Sequence, residues 1–207
     1  MKSDIIQLFP KPIYKTIMPL DFVPITKWLN MQKMSNEGDI QNYGCQSLDT
    51  YIFSNKECEE ISNYILKLVK DFGDKLGYQY EDYKFTQSWL TWKYPGQSHT
   101  SHTHANSLIS GVFYYDYVDQ NTPSIIFSDK EFLELQFKPY HIPNENYGFS
   151  NHAAALNVEP GMLLLFPSYL PHSVPTNTTN YIRKSLSFNI VPKKGLGVEK
   201  HLTEFLF

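Results

Sequence analysis

YPGQSHTSHTHANSLISGVFYYDY, Tyr94 to Tyr117, joins a histidine-rich segment to an apolar, aromatic, β-prone run. It holds His99, His102 and His104, three of the chain's seven histidines. Residues two apart on an extended chain point to the same face. His102 and His104 therefore present two imidazoles side by side, as adjacent ligands of one metal ion require. The same rule turns His99, three residues earlier, away from that face and makes it a rim residue. Asn106 keeps the parity of the pair and is placed to orient a ligand or touch a substrate. A second stretch answers the first: PGMLLLFPSYLPHSVPTNTTNYIRKSLSFN, Pro160 to Asn189. Its isolated His172 follows an apolar run and a turn-rich SYLP, which places it at a strand end or in a short loop. It is the candidate third ligand.

Eleven residues on, Arg183, Ser185, Ser187 and Asn189 alternate with Leu186, Phe188 and Ile190. That period of two describes a strand with one polar, wet face and one apolar face. Further β-prone runs are Phe85–Tyr94, Leu108–Tyr117, Ser124–Phe127 and Met162–Phe166, punctuated by Gly, Pro, Asn and Ser. Residues 5–9 form a short β-prone run, and Ile13–Ile17 alternates like an edge strand. Residues 22–34 suit a short helix, and 35–44 read as a polar loop. The clearest helix spans about Asn55 to Leu76, with Ser54 and Glu57 as a capping box and Gly77 as its stop. Ile61, Ile65, Leu68, Val69, Phe72 and Leu76 make one apolar stripe that packs on a sheet. Residues 128–160 read as an insertion with a few short strands.

The expected architecture is α+β but mainly β, with a helical N-terminal layer packed on one sheet of a two-sheet jelly roll. The chain, 207 residues long, is most simply one domain. Within it, 1–83 carry strands and helices, 84–192 the β core and 193–207 a tail. A formal charge of −3 and the lack of any long Lys/Arg run argue against nucleic acid as a partner. No apolar run approaches the roughly 20 residues of a membrane span, and the N-terminus lacks a signal-peptide core. Cys45 and Cys58 have no metal-type spacing. These features point to a soluble protein of a reducing compartment. Trp89 and Trp92 are expected to pack in the core.

The order His102-x-His104, then Gly161-x4-Phe166-Pro167-x4-His172-x-Val174, then Arg183-x-Ser185 resembles the Fe(II)/2-oxoglutarate oxygenases. With LFPKPIY, QSLDTYIF, QSWLTW and HTHANSLISGVFYY, the chain is most similar, over nearly its whole length, to a family of such enzymes in bacteria and their phages. The Tyr94-Pro95-Gly96 turn is similar to one in prolyl-hydroxylase-like members. The resemblance implies a double-stranded β-helix, of the cupin-like kind. It also implies Fe(II) on His102, His104 and His172, 2-oxoglutarate held by Arg183 and Ser185, and O2 as co-substrate. Tyr94 or Tyr115 would add a hydroxyl. The implied activity is that of a dioxygenase, a hydroxylase acting on a peptide or small molecule in the cytoplasm of a bacterium or phage-infected cell. A prolyl substrate is the first expectation, and a homodimer stays open. One departure matters: His104 stands where the superfamily has Asp or Glu, so the site carries one more positive charge. Two other readings remain: a three-histidine dioxygenase that does not use 2-oxoglutarate, and a non-catalytic cupin-like binding protein. If His104 did not ligate, Asp116 or Asp119 could approach instead.

Overall fold

The computed structural model describes residues 10–19, 23–35, 44–129 and 153–207. The run at 5–9, most of the expected loop at 35–44 and most of the expected insertion at 128–160 lie outside them. In chain order the elements begin with β1 (Tyr14–Ile17), α1 (Val23–Leu29), β2 (Cys45–Gln46) and α2 (Glu59–Lys75). Strands β3 (Tyr83–Lys93), β4 (His99–His102), β5 (Ile109–Phe113) and β6 (Ile125–Ser128) follow. The rest are β7 (Ala153–Leu156), β8 (Met162–Pro167), β9 (His172–Val174), β10 (Arg183–Pro192), β11 (Gly195–Leu196) and β12 (Phe205–Leu206).

A six-stranded sheet runs in the order β1-β8-β5-β10-β3-β2, and a four-stranded one in the order β4-β9-β6-β7. Every pairing within them is antiparallel. This is the double-stranded β-helix. The larger sheet is covered on both faces, which explains why β8 reads MLLLFP without alternation. Leu163 and Leu165 point to the helical layer, whereas Met162, Leu164 and Phe166 point between the sheets. On the helical side, Ile61, Ile65, Val69 and Phe72 of α2 pack with Leu90, Phe113, Leu186 and Phe188. β1 is the edge strand the alternation at 13–17 predicts.

The start of α2 corrects the expected capping box. Residues 52–54 and 56–58 form two 3₁₀ turns, and the helix begins only at Glu59 with no side-chain cap. Tertiary contacts outweigh the local signal. Ile52, Phe53 and Cys58 are buried, and the Phe53 N–H donates to Ser88 Oγ on β3 at 2.9 Å. Asn55 Nδ2 donates to Asp49 Oδ2 at 2.8 Å, which holds the turn apart from the helix. The end of α2 is as expected: Gly77 takes φ +77, the left-handed conformation that a glycine adopts without strain.

Candidate metal centre

His102 closes β4 and His172 opens β9, and the two residues are directly opposite in the register. His104 lies just beyond the strand, where its N–H donates to the Ser168 carbonyl at 2.9 Å. One ligand atom from each of His102, His104 and His172 lies within 4.8 Å of the others. Their hydrogen bonds fix the tautomers. His102 Nδ1 faces the Thr100 carbonyl at 2.9 Å and His172 Nδ1 the Leu170 carbonyl at 3.1 Å. His104 Nδ1 faces Asn189 Oδ1 at 2.5 Å. An oxygen acceptor at each Nδ1 requires the proton there and leaves each Nε2 with a bare lone pair. The Nε2 atoms of His102 and His104 face each other at 3.2 Å. Two lone pairs aimed at one another repel, and a cation between them turns that repulsion into ligation. Burial is the leading cause that lowers the pKa of all three imidazoles, His172 to about 3. They are therefore neutral, as metal ligands must be.

The cavity beside the triad lies between the two sheets. β10 contributes Arg183, Ser185 and Ser187 to it, and β3 contributes Trp89, Thr91 and Lys93. Phe166, Val112 and Ile125 supply apolar walls. No Asp or Glu lines the cavity among the described residues. Arg183 is only 2% exposed. Its Nε donates to the Pro123 carbonyl at 3.1 Å and Nη2 to the Tyr114 hydroxyl at 3.0 Å, with the guanidinium 5.0 Å from that ring's centroid. All of these partners are neutral. A buried charge so placed calls for an anion, and the planar guanidinium suits a carboxylate.

Residues 87–189 match the profile of a family described as "Putative 2OG-Fe(II) oxygenase". The chain belongs to this family of 2OG-Fe(II) oxygenases. It is an oxidoreductase of that class. Solved structures share its fold. A 2OG-Fe(II) oxygenase family oxidoreductase from Burkholderia pseudomallei is 12% identical with a TM-score of 0.58, over 83% of this chain and 77% of that one. The prolyl-4-hydroxylase of Pseudomonas putida is 14% identical with a TM-score of 0.56, over 86% and 92%. The alpha ketoglutarate dependent epimerase SnoN of nogalamycin biosynthesis is 10% identical with a TM-score of 0.62, over 89% and 80%. No curated protein matches the chain.

Several expected placements change in the oxygenase. His99 does not turn away: a register shift between His99 and His102 breaks the strand parity. Its ring stacks on His102 with centroids 4.2 Å apart, and it lines the cavity. Asn106 is exposed at φ +55, a turn residue outside the cavity lining. The orienting amide is Asn189, which the alternation of β10 had placed on the correct face. Tyr94 is also outside the lining, and Tyr115 points to the helical side, accepting from Trp92 Nε1 at 2.9 Å. The hydroxyl on Arg183 comes from Tyr114, which shares the inward parity of Val112. Trp89 leaves the expected core role and lines the cavity, its ring centroid 5.8 Å from that of His104. Asp116 pairs with Lys184 at 2.8 Å, and Asp119 bonds Tyr181, so neither approaches the triad. Cys45 and Cys58 are buried and form no disulfide. Among the described residues no helix is long and apolar enough to cross a membrane.

Proposed function

We propose that the oxygenase holds Fe(II) on His102, His104 and His172, binds 2-oxoglutarate against Arg183 and Ser185, and hydroxylates a peptidyl or free prolyl group. The observation that carries this reading is the convergence of three unprotonated Nε2 atoms beside a cavity with a buried arginine and no lining carboxylate among the described residues. Iron(II) with 2-oxoglutarate and O2 supplies the oxidising power to insert oxygen into a C–H bond, with succinate and CO2 as the co-products.

The chain's own residues prepare that chemistry. Thr100 and Leu170 carbonyls and the Asn189 amide hold the three imidazoles in the ligating tautomer. Arg183 is poised for the distal carboxylate of the co-substrate, and Ser185, on the same face of β10, can donate a second hydrogen bond. Phe166, Val112 and Ile125 exclude water from this end of the cavity. Trp89, half-buried next to His104, offers a flat face to a substrate ring. The prolyl assignment draws on the shared fold of the Pseudomonas putida prolyl-4-hydroxylase.

The deciding experiment is an anaerobic titration of metal-free protein with Fe(II) and then 2-oxoglutarate. The expected result is the weak visible charge-transfer band of the bidentate chelate, lost in Arg183→Ala. His104 in place of a carboxylate favours one rival, a three-histidine dioxygenase that does not use 2-oxoglutarate. Fe(II) binding without the band would select it. Absence of metal binding would leave a non-catalytic pocket.

A further inference from the structure

Of the three candidate ligands, His104 alone is aimed by a side chain rather than by backbone. The Thr100 and Leu170 carbonyls are fixed in the chain, whereas the Asn189 amide can turn end for end about its last torsion. As it stands, Oδ1 faces His104 Nδ1 at 2.5 Å and keeps the ring's proton there. Turned over, the amide would present an Nδ2 proton to the same nitrogen. That nitrogen would have to accept, and the ring's own proton would sit on Nε2, the atom that a metal needs bare.

The second contact of that amide oxygen is Ser110. This serine is buried on β5, and Asn189 is its direct partner on β10, so the two side chains share a face. The Ser110 hydroxyl donates to Asn189 Oδ1 at 2.9 Å, which gives the oxygen two donors, one for each lone pair. Ser168, 1% exposed just after β8, stands behind it, with its Oγ 2.8 Å from Ser110 Oγ and 2.8 Å from Ser107 Oγ. Ser107 anchors the far end, where its Oγ accepts the Ile190 N–H at 3.2 Å. Each hydroxyl has one proton to give. While Ser110 gives its proton to Asn189, it meets Ser168 as an acceptor. With the amide turned, Nδ2 would donate to Ser110, Ser110 to Ser168 and Ser168 to Ser107. The direction of the serine chain and the tautomer of His104 are therefore a single choice.

We propose that Ser110 is the positioning residue for His104, holding Asn189 with its oxygen toward Nδ1 and so keeping Nε2 open to the metal. The proposal rests on the reading of the three imidazoles as the metal site.

In metal-free protein carrying nitrogen-15 histidine, long-range proton–nitrogen correlation shows which ring nitrogen bears the proton, and calorimetry gives the Mn(II) affinity. Wild type should hold His104 in the Nδ1–H form. Ser110→Ala should give a mixture of the two tautomers and bind Mn(II) about tenfold more weakly, the low end of what loss of an outer partner costs. Ser110→Thr, which keeps the hydroxyl, should restore both readings. Ser168→Ala should keep the wild-type affinity, because only the turned amide needs Ser168 as an acceptor. A role in packing alone would instead weaken both alanine variants alike. In an Asn189→Ala background, Ser110→Ala should add no further loss, since it acts through the amide. Should Ser110→Ala not fold, Ser110→Cys, close in volume and a weak donor, carries the same expectations. Wild-type tautomer and affinity in Ser110→Ala, or equal losses in the two alanine variants, would overturn the proposal alone. Wild-type protein that binds no Mn(II) would overturn the reading of the triad and this proposal with it.

Discussion

Each candidate ligand is aimed by a different oxygen, and the aim can be tested one residue at a time. His102→Ala and His172→Ala should each abolish stoichiometric Mn(II) or Fe(II) binding, because two imidazoles cannot replace the convergent three. Asn189→Ala keeps all three rings but removes the acceptor at His104 Nδ1. Losses of about 10–100-fold in metal affinity are typical when such an orienting partner goes, and that is the expectation here, read by equilibrium dialysis. Protonation gives a separate handle. Burial holds His172 at about 3, against an ordinary value of 6.5. Between those values the unfolded chain binds a proton that the folded chain refuses, so unfolding takes up protons. The neutral ring's contribution is complete above pH 6.5 and is lost progressively as the pH falls toward 3. In metal-free protein, His172→Phe should therefore flatten part of the decline in urea midpoint between pH 6.5 and 4; an unchanged slope would place the titration elsewhere. The triad itself was legible, since spacing and order name His102, His104 and His172. His99 and Asn106 were not, because strand parity fails at a register shift and at a left-handed turn. Neither leaves a mark in the residue pattern.

At the scale of elements, α2 meets the larger sheet at one crowded point. Gly73 faces the Tyr83 hydroxyl so closely that an added Cβ would overlap it. Among the described residues that hydroxyl is also buried without a hydrogen-bond partner. Helix propensity alone favours Gly73→Ala by about 1 kcal/mol, whereas overpacking typically costs about 1–3 kcal/mol. The expected sum is a net loss for Gly73→Ala. Tyr83→Phe should be neutral or slightly stabilising, because it removes a buried polar atom that nothing satisfies. In the double variant the alanine's penalty should shrink, giving a favourable coupling in a denaturant-melt cycle. Additive effects would mean that the helix shifts to make room. The helix and most strands were legible because their burial is periodic, as in Arg183–Ile190 and Ile61–Phe72. The helix start was not: a good capping-box sequence at Ser54 yields to Phe53 docking on Ser88, a contact thirty-five residues apart. The same limit hid Tyr114, since Leu108–Tyr117 alone does not say which of two adjacent tyrosines faces inward.

For the whole molecule, the decisive feature is how the site divides between the two sheets. His102 and His172 belong to the four-stranded sheet, while Arg183 and Lys93 belong to the six-stranded one. A metal ion on the triad ties β4 to β9 and to the turn that carries His104. A dicarboxylate reaching from that metal to Arg183 would tie one sheet to the other. Stabilisation by ligand should thus come in two steps. Mn(II) alone should raise the melting temperature, and 2-oxoglutarate should raise it again only when the metal is present. At about 1,000 times its Kd a ligand adds about 4 kcal/mol. For a chain of this size that corresponds to roughly 8–16 °C, at about 2–4 °C per kcal/mol. Arg183→Ala should keep the first step and lose the second, and His172→Ala should lose both. A rise with 2-oxoglutarate in metal-free protein would contradict this order. It would mean that the buried arginine holds the dianion without a metal on the imidazoles, so that the two steps are independent.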